Sequence, residues 1–309
     1  MMAGVSTSAL DIRPSARTVT SVRSAIPDFV ALTKPEVNFL IVSATFTGFY
    51  LGYPSDLRTF PIERMLNALL GTLLVASGTG TLNQYLERGF DTQMRRTRRR
   101  PVAAGRVRPA TAAWFGALLS SVGAVYLFVA VNPLASALAL FTLTTYLLVY
   151  TPLKRKTPLC TLAGAVPGAM PPLIGWAAAS GSVLNAKAWT LYAVLFLWQF
   201  PHFMAIAWMY RVDYARAGYL VLPPGEESGR FMSWQALLAS LVLIPISLIP
   251  ALIGHRDPVH FVLAGILSSL FFFCSASLAL QSSVLAARRL LLASIVYLPL
   301  AFCLLVLEK

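Results

Sequence analysis

Cysteine is nearly absent from this chain. Cys160, Cys274 and Cys303 stand far apart in apolar sequence and form neither a CxxC pair nor an even framework. That argues against a disulfide scaffold or a zinc site and leaves small packing residues. Histidine is as scarce, at three, and acidic residues number 12 against 25 Lys and Arg. Charged residues make up only 12% of the 309, against 57% hydrophobic. So little charge cannot give a soluble globule of this size a water-facing surface. The first 29 residues lack an apolar core segment, which excludes a secretory signal.

Long apolar runs are what the chain does have. Stretches of around twenty apolar residues recur, the length that crosses a bilayer core of about 30 Å. Hydropathy places nine spans at roughly 37–53, 66–87, 110–130, 133–151, 160–179, 187–210, 232–253, 259–280 and 290–307. The expected fold class is all-α, a polytopic membrane protein with the lipid bilayer as its solvent. No repeat is evident. The residues divide into a flexible cytoplasmic tail over 1–30 and one membrane domain over 31–309.

The net charge of +13 suggests nucleic acid at first sight, but its distribution points elsewhere. With the N-terminus in the cytoplasm, 20 Lys and Arg fall in the tail and inner connections, and 5 in the outer connections and at the C-terminus. The positive-inside bias therefore orients the chain with its C-terminus outside, and no nucleic-acid role is needed. The Arg/Ser-rich tail resembles a mitochondrial transit peptide, but Asp11 and Asp28 weaken that reading. A short cytoplasmic tail in a bacterial inner membrane is the expectation, ahead of the mitochondrial inner membrane.

The chemistry concentrates at one place, NQYLERGFDTQMRRTRRRP over 83–101. Asn83, Glu87 and Asp91 fall four apart, so on a helix they stack along one face with roughly 6 Å between neighbours. An amide oxygen and two carboxylates suit a hard cation, and magnesium takes few protein carboxylates and completes its shell with water and phosphate. A solvated helix end is the plainer alternative, but ionisable groups in spans are costly and usually functional. Arg96 and Arg100, also four apart, would share a face if helical and fork onto diphosphate oxygens. Arg95, Arg98 and Arg99 fit an ordinary positive-inside loop equally well.

Three further stretches stand out. Asp213, in RVDYARAG over 211–218, is a second carboxylate at an inner helix end, unless it merely pairs with Arg211 or Arg216. His202, in WQFPHF over 198–203, lies inside a span about 16 Å along a helix from Asp213. It suits a haem-iron ligand, a proton relay or a bonded core histidine. The Gly-, Ala- and Pro-rich run over 163–181 permits close helix approach, and Lys154 and Arg155 add charge on the same inner face.

Taken together, LTKPEV (32–37), NQYLERGFDTQM (83–94), RTRRRP (96–101), YTPLKRKTP (150–158), GAVPGAMPPLIGWAA (164–178), FPHF (200–203), DYARAG (213–218) and RRLLLASIVYL (288–298) resemble the intramembrane prenyltransferase superfamily, in particular its haem-directed members. The resemblance covers nearly the whole chain beyond the tail. It implies nine transmembrane helices around a central cavity, a diphosphate site at the cytoplasmic face, and transfer of farnesyl from farnesyl diphosphate to a vinyl group of haem B, giving haem O. It places the first aspartate-rich motif, and with it Mg2+, on Asn83, Glu87 and Asp91, and the second on Asp213. It places substrate cations at Arg96, Arg100, Lys154 and Arg155, with a downstream haem A synthase as a possible partner. His202 is the candidate for positioning haem, and Tyr85, Phe90 and Tyr214 offer ring faces to an allylic cation.

Departures from the superfamily pattern are informative. Ala217 stands where a further carboxylate is usual, a loss shared by haem-directed members. Val212 stands where an acidic residue often precedes Asp213, and Leu159–Cys160 replaces a usual TP-x-Asn. The alternatives are prenylation of a quinone precursor or a chlorophyll-type pigment and, from another class, a nine-span transporter.

Overall fold

The structure is a computed structural model. It describes residues 22–53, 59–225, 228–253 and 258–307, and those residues are helices and turns with no strand among them. In chain order they are α1 (Val22–Thr33), α2 (Pro35–Gly52), α3 (Ile62–Asp91), α4 (Pro109–Ala130), α5 (Pro133–Thr144), a π-helical turn (Thr145–Tyr150), α6 (Thr151–Leu153), α7 (Cys160–Gly168), α8 (Met170–Ser180), α9 (Ala186–Met209), α10 (Arg211–Arg216), α11 (Arg230–Ile253), α12 (Pro258–Gln281) and α13 (Val284–Leu307). Among the described residues eight helical stretches are long and apolar enough to cross a membrane, and the pair 26–33 and 35–52, bent by 46°, makes nine if it is counted as one span. The hydropathy spans are reproduced, with α3 extended at both ends, from Ile62 to Asp91, and α13 beginning at Val284, taking in Arg288 and Arg289. Residues 22–30, expected to belong to a flexible tail, form most of α1. Asp56, Arg256, Asp257, Glu308 and Lys309 lie outside the described residues.

Local sequence explains the breaks. Pro152 has no N–H to offer the carbonyl four residues back, and the chain widens into the π turn just before it. Pro167 precedes the break at Ala169 that separates α7 from α8. Asn132 and Asn185 cap α5 and α9, accepting from the amides of Ala135 and Lys187 at 2.8 Å.

Burial shows which span lies in the middle. In Cys160–Ser180 78% of the most apolar stretch is buried, against 28% in Pro258–Gln281, so α7–α8 is central and α12 faces lipid. Helix α8 packs against α2, α5 and α9, while α13 packs on α9, α12 and α2 and brings the last helix back beside the first span. Lipid supplies no hydrophobic drive between helices, so contact rests on small residues and interhelical hydrogen bonds. Gly48 of α2 sits against the Pro172 carbonyl, and Gly175 of α8 sits against the Thr45 carbonyl; a Cβ at either would collide with the facing backbone. Asn38 donates to Ser77 Oγ at 2.8 Å, and Trp198 donates to the Ser294 carbonyl at 2.8 Å.

At the charged end, α1 secures the turns after α3. Leu32 packs with Val102, Val107 and Ala112, Phe29 meets Phe115 edge-on, and Arg106 pairs with Asp28 at 2.8 Å.

A test of this packing follows from the two glycines. Gly175→Val forces backbone apart and is expected to destabilise the protein by about 3 kcal/mol, the upper end for overpacking. Gly89→Ala, where a Cβ meets nothing within 4 Å, is expected to leave the melting temperature unchanged or slightly raised. Thermal unfolding of the two variants in the same detergent checks the contrast.

Candidate active site

Asn83, Glu87 and Asp91 do form one column on α3, and all three are buried, at 1%, 5% and 2% exposure. The spacing that stacks them also turns them inward. Each is already held by a basic side chain from a different part of the chain. Lys34 Nζ donates to Asn83 Oδ1 at 2.8 Å, Lys154 Nζ to Glu87 Oε1 at 2.7 Å, and Arg100 Nη1 to both Asp91 oxygens at 2.9 Å. Asp213 on α10 is buried too; its Oδ2 accepts from the Arg95 amide at 3.1 Å and its Oδ1 from Arg216 at 3.3 Å. The arginine segment, α10 and α3 therefore meet at one end of the bundle.

Four structural devices assemble this end. The first is Lys34, at the junction of α1 and α2 in left-handed backbone (φ 56°, ψ 63°), an unusual conformation for a non-glycine residue. Pro35 disfavours right-handed helix at the residue before it. The resulting bend carries Lys34 Nζ to Asn83. The second is the π turn, a feature frequent at functional sites. It is followed by Thr151, whose hydroxyl accepts from Asn83 Nδ2 at 3.4 Å, and then by Lys154. The third is the turn after Asp91, which brings Arg100 back onto that carboxylate. The fourth is the 217–221 loop, fastened by the Leu220 amide donating to the Lys154 carbonyl at 2.6 Å.

Burial lowers the Lys154 pKa, but the Glu87 carboxylate and the Tyr150 and Tyr146 hydroxyls together outweigh it and hold the ammonium well above its usual value. Aromatic rings enclose the pair: Lys154 Nζ lies 4.5 Å from the Tyr150 ring centre and 5.8 Å from that of Tyr219.

Several sequence expectations change here. Arg96 and Arg100 do not share a helix face, because α3 ends at Asp91 and both sit in turns. Arg96 lies 5.5 Å over the Tyr210 ring and donates to the Tyr214 hydroxyl at 3.4 Å, while Arg155 is exposed and lies 4.7 Å over Phe90. Arg95, Arg98 and Arg99 are exposed. Arg88 covers a face of Tyr85 at 4.6 Å, so Tyr85 and Phe90 each carry a cation from the chain itself. His202 is apart from the cluster. It stacks on Trp198 at 4.7 Å, and its Nδ1 lies 2.8 Å from Ser294 Oγ on α13. Lys34, Tyr150 and Tyr219 belong to the site, and sequence reading missed them. The signal for Lys34 was there: a lysine followed by proline at the mouth of an apolar span.

Oxygen donors beside buried cations suit a polyphosphate and a hard cation. Among the described residues no three His, Cys, Asp or Glu converge on one point. A bound magnesium would thus draw on Asn83, Glu87, Asp91 and Asp213 only in part, the rest of its shell coming from phosphate and water.

Against this geometry, the model of the "UbiA prenyltransferase family" matches residues 41–305. The chain belongs to the UbiA prenyltransferase family. Its relatives include "Protoheme IX farnesyltransferase" of Solibacter usitatus, 43% identical over 288 residues, covering 91% of this chain and 98% of that protein. The protein of the same name from Koribacter versatilis is 41% identical, covering 93% and 95%. Among solved structures, a digeranylgeranylglyceryl phosphate synthase superposes with a TM-score of 0.74 at 15% identity, covering 92% of this chain and 98% of its own. A UbiA homologue from Archaeoglobus fulgidus, bound to GPP and Mg2+, superposes at 0.64 with 15% identity over 90% and 99%. These likenesses establish the fold of a multi-pass UbiA-family membrane protein.

The buried pair predicts its own asymmetry. Lys154→Met leaves Glu87 buried without a partner and is expected to destabilise the ligand-free protein by about 3 kcal/mol. Adding Glu87→Leu to that variant is expected to recover most of the loss. A double-mutant cycle of thermal unfolding measures it.

Proposed function

We propose that this UbiA-family protein transfers the farnesyl group of farnesyl diphosphate to a vinyl group of haem B with addition of water, giving haem O. The observation that carries the prenyl-transfer half is the buried column of Asn83, Glu87 and Asp91, matched one to one by Lys34, Lys154 and Arg100. The haem acceptor rests on the name of the relatives and on Ala217, a buried apolar residue where the wider pattern has a carboxylate.

The reaction exchanges partners. On binding, the diphosphate takes hydrogen bonds from Lys34, Lys154 and Arg100, with Arg96 and Arg155 at the exposed rim. That leaves Asn83, Glu87, Asp91 and Asp213 as the magnesium donors. Bound magnesium supplies electrostatic stabilisation of the departing charge. The allylic C–O bond then breaks with both electrons leaving on the diphosphate, and the five cations offset the charge that develops. The vinyl π pair of haem forms the new C–C bond. Water captures the resulting cation beside the porphyrin and loses a proton, leaving a hydroxyethylfarnesyl group. Tyr150, Tyr214 and Tyr219 wall the site and help exclude competing water.

His202 is assigned to holding haem iron. Ser294 donates its hydroxyl to the Leu291 carbonyl at 2.6 Å, so Ser294 Oγ accepts from His202 Nδ1–H. That bond fixes the tautomer and leaves the Nε2 lone pair for iron. The protein works in a bacterial inner membrane with the charged end in the cytoplasm, where farnesyl diphosphate arrives. A haem A synthase would consume the product.

Purified protein in nanodiscs with haem B, farnesyl diphosphate and Mg2+ is expected to make haem O, identified by mass. Chelation of magnesium should stop it, and Asp91→Asn should lower kcat by about a hundredfold. Folded protein that makes no haem O, or that prenylates a quinone precursor or pigment in preference, contradicts the reading. Separately, His202→Ala is expected to raise KM for haem B while leaving KM for farnesyl diphosphate within twofold. Steady-state kinetics on each substrate checks that split.

A further inference from the structure

Among the described residues, the Tyr219 hydroxyl is a buried polar atom that completes no hydrogen bond of full geometry. Its side chain is 5% exposed, and the acceptor the hydroxyl approaches is the Glu87 carboxylate. Leaving a buried donor unsatisfied costs about 1–3 kcal/mol. The rest of the residue is tightly held. Its ring lies 5.5 Å from Phe90 and 6.0 Å from Tyr214 and packs with Met94 and Ala217. Gly218, in left-handed backbone (φ +70°), turns the chain after α10, and the Tyr219 amide donates to the Tyr214 carbonyl at 3.0 Å. The next residue is fastened to the Lys154 backbone, so Tyr219 and Lys154 form one unit.

What surrounds the hydroxyl decides what it can bind. Lys154 Nζ lies 5.8 Å from the Tyr219 ring centre, and the Glu87 carboxylate that the hydroxyl approaches already accepts from Lys154. Lys34 and Arg100 add further donors along the same column of α3, so an acceptor that enters there meets donors from several elements. A phenol adds another donor here. A phenol is protonated at neutral pH, so the hydroxyl gives a hydrogen bond rather than a proton. What enters such a site as an acceptor is an anion.

We propose that Tyr219 is a further diphosphate-binding residue, its hydroxyl donating a hydrogen bond to an oxygen of the prenyl diphosphate as that substrate takes Lys154 from Glu87. This rests on the prenyl-transfer reading above and adds a residue to its donor site. The 217–221 loop thereby reports diphosphate occupancy to Lys154 through the backbone hydrogen bond that joins them.

The test is Tyr219→Phe in the full-length protein, with inorganic pyrophosphate and Mg2+ as the probe. Pyrophosphate carries the acceptor oxygens without the hydrocarbon. Its inhibition constant against farnesyl diphosphate is expected to rise on the order of tenfold. KM for haem B should stay within twofold, and the melting temperature should not fall, since the ring contacts are kept. An unchanged pyrophosphate constant overturns the proposal and leaves farnesyl transfer standing. Equal weakening toward pyrophosphate and haem also overturns it, because the hydroxyl then supports the site as a whole. Folded wild-type protein that neither turns over nor binds pyrophosphate overturns both readings.

Discussion

Carboxylates buried at the mouth of a membrane bundle need a nearby cation, because leaving one unpaired away from water costs several kcal/mol. Glu87 and Asp91 meet that requirement with Lys154 and Arg100, and Asn83 meets Lys34. Much of the architecture at this end serves those pairings. The bend at Lys34, the π turn before Lys154 and the turns after Asp91 each depart from regular helix, and each delivers one basic side chain to α3.

Ion pairs of this kind are modest contributors to stability, since desolvation offsets most of the Coulomb gain. Their use lies in what they make exchangeable. Phosphate oxygens attract ammonium and guanidinium groups as carboxylates do, and a divalent cation attracts carboxylates as ammonium does. A magnesium diphosphate brings both partners at once. The site trades one set of charge pairs for another without moving a bare charge through apolar surroundings.

How much of this was legible in the sequence depended on the range of the interaction. Spans are set by local hydropathy, and they emerged with their ends only a few residues off. The Asn83, Glu87 and Asp91 column is a helical repeat, so spacing alone placed it. Arg96 and Arg100 have the same spacing, yet they share no face, because α3 stops at Asp91; periodicity says nothing once the helix has ended. Lys34 and Tyr219 owe their places to a strained junction and to a single backbone hydrogen bond across 66 residues, from Leu220 to Lys154. A lysine before a proline at the mouth of a span marks the first, and no local pattern carries the second. Ala217 showed as an absence in sequence, and in space it is the floor on which Tyr219 packs.

The partner exchange is the central claim, and a high-resolution structure of the protein with Mg2+ and a non-reacting farnesyl thiodiphosphate measures it directly. The account predicts that Lys154 and Arg100 leave Glu87 and Asp91 and donate to diphosphate oxygens, with the freed carboxylates turned toward the metal. A bound diphosphate with the Lys154–Glu87 and Arg100–Asp91 pairs still intact would contradict it.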